Sequence, residues 1–258
     1  MKTILITGSK GFVGSALADY LQNDYSVYGY DLQDGLDILG AASLSGVDIV
    51  IHCAALTSVE GSKNNPHEYY KTNVLGTSKI VELCLKSNTQ LIYFSSAAIF
   101  DPTSSPYADS KSIAHELVEV FRDKLRGVIF VPFNIYSIKP KRGSLFHHFL
   151  YDKELSIHGN GKQTRDFINI IDICSIVKTA LDEEWEKETM ELGIGKQISI
   201  NEIADFFADF TGKKKVYKKQ SCGIKNSLAD INHLRDHYDK KFKTNLKKDI
   251  EQMIINLN

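Results

Sequence analysis

Lys2-Thr3-Ile4-Leu5-Ile6-Thr7-Gly8-Ser9-Lys10-Gly11-Phe12-Val13-Gly14 is the stretch that decides how the rest of the chain folds. Lys2 to Thr7 is a short apolar, β-rich run, which reads as a buried strand. Glycines follow at Gly8, Gly11 and Gly14, and Ser15 to Leu21 then reads as a helix. Strand, glycine loop and helix in this order give a helix N-terminus that cradles a pyrophosphate. Glycine allows the sharp turn and the close approach of backbone to phosphate. The spacing is G-x-x-G-x-x-G rather than G-x-G-x-x-G. By itself it also describes a glycine-rich turn that holds nothing.

The segments downstream favour the ligand. A second strand, Ser26 to Tyr30, ends in Asp31, close to the place of an acidic ribose ligand about 20 residues past such a loop. A carboxylate there accepts hydrogen bonds from ribose hydroxyls and repels a 2′-phosphate, which favours NAD over NADP. Asp37 and Ile38 follow in a loop and are candidates for contact with the adenine ring. Val47 to His52 is a third apolar strand, closed by Cys53-Ala54-Ala55, where small residues let a dinucleotide pass close. A helical pattern covers Pro66 to Lys86 and includes Asn73. Leu91 to Phe94 is a fourth strand, Tyr107 to about Arg126 a helix, and Gly127 to Pro132 a fifth strand. Strands alternating with helices predict a doubly wound parallel α/β sheet of Rossmann type. Ligands of such sheets lie beyond the carboxyl ends of the strands, where Gly8, Asp31, Ala54, Ser96 and Asn134 all fall.

The fourth strand leads into Ser95-Ser96-Ala97-Ala98-Ile99-Phe100-Asp101-Pro102-Thr103-Ser104-Ser105-Pro106-Tyr107-Ala108-Asp109-Ser110-Lys111. Tyr107 and Lys111 are four apart at the start of a helix and share a face. A free tyrosine has a pKa of about 10, so roughly one in a thousand is ionised at pH 7. A neighbouring cation favours the phenolate and would fit Tyr107 for proton transfer. Tyr-x-x-x-Lys alone equally fits a surface turn.

Composition narrows the function classes. A chain of 258 residues can bury one large core or two joined lobes. Net charge of −1 gives no basic field to draw nucleic acid. Cys53, Cys84, Cys174 and Cys222 are scattered without metal-ligand spacing, so reduced thiols and no metal site are expected. No apolar run is long enough to span a bilayer, and no signal-peptide layout is present, so the expectation is a cytoplasmic protein without membrane attachment. Past Asn134 the alternation loosens. Lys139 to Gly143 and Lys213 to Lys219 read as solvated basic segments, Arg165 as a possible phosphate ligand, and Ser199 with Glu202 as a capping box.

Taken together, these motifs resemble the extended short-chain dehydrogenase/reductase family, in its NAD-dependent epimerase/dehydratase branch acting on nucleotide sugars. The resemblance runs over nearly the whole chain. Thr7-Gly8-x-x-Gly11-Phe12-Val13-Gly14 resembles the cofactor loop, Val50 to Ala55 the segment under the cofactor, and Asn73-Val74-x-Gly76-Thr77 the central helix. Ser95 to Phe100 resembles the strand end whose catalytic hydroxyl falls on Ser96, and Tyr107 to Lys111 the catalytic Tyr-x-x-x-Lys. Pro132-Phe133-Asn134-Ile135-Tyr136 is similar to the segment touching cofactor and sugar diphosphate. Gly159 to Phe167 is similar to the segment whose arginine, here Arg165, holds the diphosphate.

The resemblance implies a Rossmann NAD-binding domain over 1–133, rejoined by 165–190. A smaller C-terminal substrate lobe takes 134–164 and 191–258. It implies Ser96, Tyr107 and Lys111 as catalytic residues. Gly8, Gly11, Phe12, Val13, Gly14, Asp31, Asp37, Ile38, Ala54, Ala55, Asn73, Tyr107, Lys111 and Phe133 fall to the cofactor, and Ser96, Tyr107, Asn134 and Arg165 to a nucleotide-sugar substrate. It also implies a homodimer through the Pro66–Lys86 and Tyr107–Arg126 helices. Dehydratases of the branch carry Asp and Glu after the catalytic hydroxyl, and decarboxylases a Glu at the second position. Here Ala97 and Ala98 stand there. The reading that remains is 4-epimerisation of a UDP-hexose type sugar through a 4-keto intermediate. A reductase, oxidase or other modifier of such sugars is the alternative enzyme, and a non-catalytic NAD-binding sensor the alternative from another class. Two departures stand out: only ten residues separate Ser96 from Tyr107, shorter than in relatives, and Phe100 replaces a frequent tyrosine.

Overall fold

A computed structural model describes residues 1–219 and 225–257; Cys222 lies outside them. The chain divides into two compact units, Met1–Pro132 with Cys174–Met190, and Phe133–Ile173 with Glu191–Asn258.

The first unit contains β1 (Thr3–Thr7), α1 (Phe12–Leu21), β2 (Ser26–Tyr30), β3 (Ile49–His52), α2 (Val59–Asn64), α3 (Pro66–Tyr69), α4 (Gly76–Ser87), β4 (Gln90–Phe94), α5 (Pro106–Val120) and β5 (Gly127–Pro132). The strands lie in the order β2-β1-β3-β4-β5, all parallel, with a further strand, Glu188–Leu192, beyond β5. β3 and β4 are buried along their whole length, as expected where helices cover both faces of a parallel sheet. Val50, Leu91, Tyr93, Ile129 and Val131 of the sheet pack against Ile80, Val81 and Cys84 of α4 and Ala114 and Val118 of α5. Each large apolar side chain buried in this way contributes about 1.5–3 kcal/mol.

Two local features depart from simple alternation. Residues 32–40, where a Rossmann sheet would place a strand outside β2, form two 3₁₀ turns, Leu32–Asp34 and Ile38–Gly40. An aspartate caps each one, with Asp31 Oδ1 accepting the Gln33 amide at 2.9 Å and Asp37 Oδ1 the Leu39 amide at 3.0 Å. The chain then crosses from β2 back past β1 to β3, so the topological switch point lies between β1 and β3. The expected long helix from Pro66 is interrupted by a π-helical turn, Tyr70–Leu75, between α3 and α4. Ile38 packs onto the start of α4, where a Cβ on Gly76 would lie 2.3 Å from Ile38 Cδ1.

The second unit holds β6 (Asn134–Tyr136), α6 (Leu145–Tyr151), β7 (Leu155–His158), β8 (Thr164–Asn169), the start of α7 (Ile170–Asp182), the end of β9 (Glu188–Leu192), β10 (Gln197–Ser199), α8 (Ile200–Thr211), β11 (Lys215–Lys218), α9 (Asn232–His237) and α10 (Leu246–Ile255). β10-β8-β6 form one sheet and β11-β7 another. Its core joins Tyr136, Phe146, Phe149, Phe167 and Phe207 with Ile250 and Met253 of α10. Ser199 and Glu202 form the full capping box at the start of α8. The lysine run has structural partners. Lys213 Nζ donates to the Phe149 and Leu150 carbonyls at 3.0 and 2.7 Å, and Lys215 pairs with Asp205. Among the described residues, no helix is long and apolar enough to cross a membrane.

Candidate active site

β4 ends at Phe94, and the chain turns outward at Ser96. There Ser96 Oγ caps a 3₁₀ turn, Ala97–Phe100, by accepting the Ala98 amide at 3.2 Å. α5 starts with Pro106 at its first position, and Ser105 Oγ accepts the Ala108 amide at 3.1 Å. This start places Tyr107 in the first turn, with its hydroxyl donating to Ser96 Oγ over 3.1 Å. Ser96 Oγ thus accepts twice, and its own hydrogen is the function left to offer to another oxygen.

Lys111, one turn further along α5, is buried. Its ammonium donates to the Phe94 carbonyl at 2.8 Å and to Tyr93 Oη at 3.0 Å, and sits 4.7 Å from the centre of the Tyr93 ring. Burial pushes the lysine down to about 7, opposed by nearby Cys53. Burial likewise raises Tyr107, reinforced by Tyr69 and opposed by Ser96, whose hydroxyl can donate to the phenolate. The expectation of a phenol lowered by its neighbouring ammonium therefore needs correcting for the chain by itself. Both ammonium bonds go to β4, and desolvation favours the neutral form of each group.

The glycine loop is closed on the end of β3. Gly8 has a φ of +68°, and a Cβ there would lie 2.7 Å from the Ala54 amide nitrogen. A Cβ on Gly14 would lie 2.2 Å from the Gly8 carbonyl oxygen. Gly11, at the N-cap of α1, leaves the first-turn amides near Phe12 and Val13 without a side-chain cap. This cradle and uncapped helix start fit a pyrophosphate. The Asp31 carboxylate accepts the Gln33 and Lys10 amides, each at 2.9 Å. An ionised carboxylate takes about four hydrogen bonds, so the ribose hydroxyls have acceptor positions to use. Ala54 and Ala55 are partly exposed past the end of β3. Asp37 keeps its carboxylate at its own turn, and the Ile38 side chain is buried.

Asn73 is buried, with its side chain held by protein groups. It lies in the π-turn, accepts the Leu56 amide at 2.8 Å, and donates to the Leu56 carbonyl and to Ser110 Oγ, both at 3.0 Å. It ties the loop after β3 to α5. A set of polar residues that sequence reading treats as core also comes together here: Thr7, His52, Thr77 and Tyr93. Thr7 Oγ1 and His52 Nδ1 are 2.7 Å apart, and His52 Nε2 and Thr77 Oγ1 are 3.0 Å apart. The available signal was the polar tip of His52 and of Tyr93 inside otherwise apolar strands.

In the second unit, Asn134 Nδ2 donates to the Asp166 carbonyl at 3.2 Å. Arg165 is half-buried, its guanidinium donating to the neighbouring Thr164 carbonyl at 2.7 Å, and burial lowers its pKa. Phe133 is half-buried, its amide held by the Leu192 carbonyl at 2.9 Å. Asp166, beside Arg165, is fully buried and was not anticipated. It accepts the Ile194 and Gly195 amides at 2.9 Å and the Ala229 amide at 3.3 Å, which fixes the turn after β9. Among the described residues, no cluster of His, Cys, Asp or Glu is arranged to hold a metal ion.

Comparison with known proteins places these features in a family. A family model described as "NAD dependent epimerase/dehydratase family" matches residues 4–193. A Methanocaldococcus jannaschii protein named "Putative UDP-glucose 4-epimerase" is 29% identical, over 78% of this chain and 80% of its own length. A UDP-N-acetyl-alpha-D-glucosaminuronate decarboxylase from Bacillus cytotoxicus is 26% identical over 97% of both chains. Among solved structures, a Tyr-to-Phe variant of UDP-glucuronic acid 4-epimerase from Bacillus cereus is 25% identical. It has a TM-score of 0.89, covers 99% of this chain and 100% of its own, and carries a UDP-sugar analogue and NAD. The chain belongs to the NAD-dependent epimerase/dehydratase family, whose members act on nucleotide sugars.

Proposed function

We propose that the protein is an NAD-dependent epimerase that inverts C4 of a nucleotide-linked sugar through a transient 4-keto intermediate. The observation that carries this reading is the Tyr107–Ser96 hydroxyl pair, 3.1 Å apart, on a turn whose next two residues, Ala97 and Ala98, have no proton-transferring group. Asp101, the acid that follows in the segment, accepts from Thr103 at 3.3 Å. Removing water or carbon dioxide calls for further acid–base groups, whereas oxidation and reduction at one carbinol call for one base and one hydroxyl donor.

The first unit would hold NAD with Gly8, Gly11, Phe12, Val13 and Gly14 around the pyrophosphate, Asp31 on the ribose, and Ala54 and Ala55 beneath. Bound there, NAD would supply reversible two-electron oxidation of the sugar carbon and a cationic ring. Such a cation, with Lys111 in its charged form, would favour the phenolate of Tyr107 against the desolvation that keeps it protonated. Tyr107 then takes the proton of the 4-hydroxyl and later returns it. Ser96 donates its free hydrogen to the same oxygen. Arg165 and Asn134 of the second unit anchor the diphosphate while the sugar turns. A half-buried guanidinium whose hydrogen bond is to its own strand suits a bidentate phosphate contact.

Proton NMR of the purified protein with UDP-hexoses, and no added cofactor, tests this. Conversion to the 4-epimer supports cofactor that is regenerated in each turnover. Bound NAD without conversion of any hexose, N-acetylhexosamine or uronic acid overturns it in favour of a net redox enzyme.

A further inference from the structure

We propose that Tyr93 is a positioning residue for Lys111, its ring set against the His52 imidazole that Thr7 and Thr77 hold from either side. This deepens the proposed function, because it assumes that Lys111 belongs to the reaction site.

The direction of every bond follows from counting hydrogens. Thr77 has one hydroxyl hydrogen, and it goes to the Asn73 carbonyl at 2.6 Å. His52 Nε2 must therefore be the donor toward Thr77 Oγ1, which fixes the imidazole tautomer. His52 Nδ1 is then an acceptor, and Thr7 donates to it while its own oxygen takes the Ala54 amide at 3.3 Å. The Tyr93 ring stacks on the imidazole held in this way, with ring centroids 5.7 Å apart. Its hydroxyl oxygen accepts from the Lys111 ammonium at 3.0 Å.

Tyr93 does two things for Lys111. With two ammonium hydrogens held by Tyr93 and the Phe94 carbonyl, the third has a fixed direction. The phenol oxygen also stabilises the charged form against desolvation. The imidazole cannot take over as a cation, since burial and Lys111 together push it down to about 3. The titratable groups around Lys111 are His52 at the end of β3 and Cys53 just past it, Tyr93 from β4, and Tyr107 and His115 on its own helix. Of these, Tyr93 is the one that accepts a hydrogen bond from the ammonium.

The test is the titration of Lys111 itself, followed by heteronuclear NMR of protein labelled with ε-¹³C lysine. The resonance is assigned by its loss in Lys111→Met. Tyr93→Phe keeps the ring that faces the ammonium and removes only the hydroxyl. Its Lys111 should titrate lower than wild type by roughly one pH unit, the scale of one hydrogen bond to a charged group. Thr77→Val, which releases the imidazole that the Tyr93 ring stacks on, should move it the same way by less and serves if Tyr93→Phe does not fold. An unchanged titration in either folded variant overturns the proposal. The epimerase assay is separate. A shifted titration in a chain that converts no sugar keeps the positioning role and removes the proposed reaction.

Discussion

Tyr107 donates to Ser96 Oγ at 3.1 Å, and the same serine oxygen accepts the Ala98 amide at 3.2 Å. The serine is thereby oriented from two sides. Replacing Tyr107 with Phe should lower kcat by about 10²–10⁴-fold, the usual worth of a general acid–base group, and leave the NAD dissociation constant unchanged. Ser96→Ala should lower kcat by about 10²-fold, as for loss of one donor to a developing charge. Steady-state kinetics and calorimetric titration with NAD check both. Full activity in Tyr107→Phe would remove the phenol from the mechanism.

The glycine loop has no room for a methyl group at Gly14, where a Cβ would meet the Gly8 carbonyl at 2.2 Å. Gly14→Ala must open the turn, and overpacking of this kind costs about 1–3 kcal/mol. NAD binding should weaken by roughly tenfold or more, read by the same calorimetry. Unaltered affinity in a folded variant would place the pyrophosphate elsewhere.

Lys111 titrates near 7 in the folded chain, against an ordinary value of 10.5, because it is buried. Between these values the unfolded chain holds the additional proton, so this group makes stability rise with pH from about 7 to 10.5. Below 7 both states are charged and its destabilising effect is full and constant. Urea unfolding of wild type and Lys111→Met at pH 7 and pH 9 should show the smaller difference at pH 9. A gap that widens with pH would contradict a buried, depressed lysine.

The Arg165 guanidinium donates to a carbonyl of its own strand. If it holds the diphosphate equally in ground and transition states, Arg165→Met raises KM for the nucleotide sugar by roughly tenfold or more with a smaller change in kcat. NAD affinity should be unaffected, since the residue belongs to the second unit. A loss confined to kcat would assign it to the reacting centre instead.

Leu75 precedes α4, and Ile113 and Val120 lie on α5, with 58%, 43% and 76% of their surfaces exposed. If these helices pair in the homodimer that the family resemblance implies, these are side chains the interface would cover. Light scattering after gel filtration should give a dimer for wild type and a monomer for Ile113→Glu with Val120→Glu. A wild-type monomer at micromolar concentration would exclude that interface.

Much of this protein was determined by its sequence alone, wherever the deciding physics is local. The strands from Thr3 to Thr7, Ser26 to Tyr30 and Gly127 to Pro132 follow from apolar runs, and the capping box of Ser199 and Glu202 from a three-residue spacing. The tight Gly8–Gly14 turn follows from residues that tolerate no side chain there. Tertiary structure decided what depends on residues far apart in the chain. The long helix acquires a π-turn at Tyr70–Leu75, and Asn73, within it, turns inward to Leu56 and Ser110. Lys111 bonds Tyr93, 18 positions away, rather than Tyr107 one turn back. Thr7 meets His52 across 45 positions because β1 and β3 pair in parallel. Sequence patterns report which side chains avoid water, but which buried polar groups satisfy one another is set only when the sheet brings strand ends together.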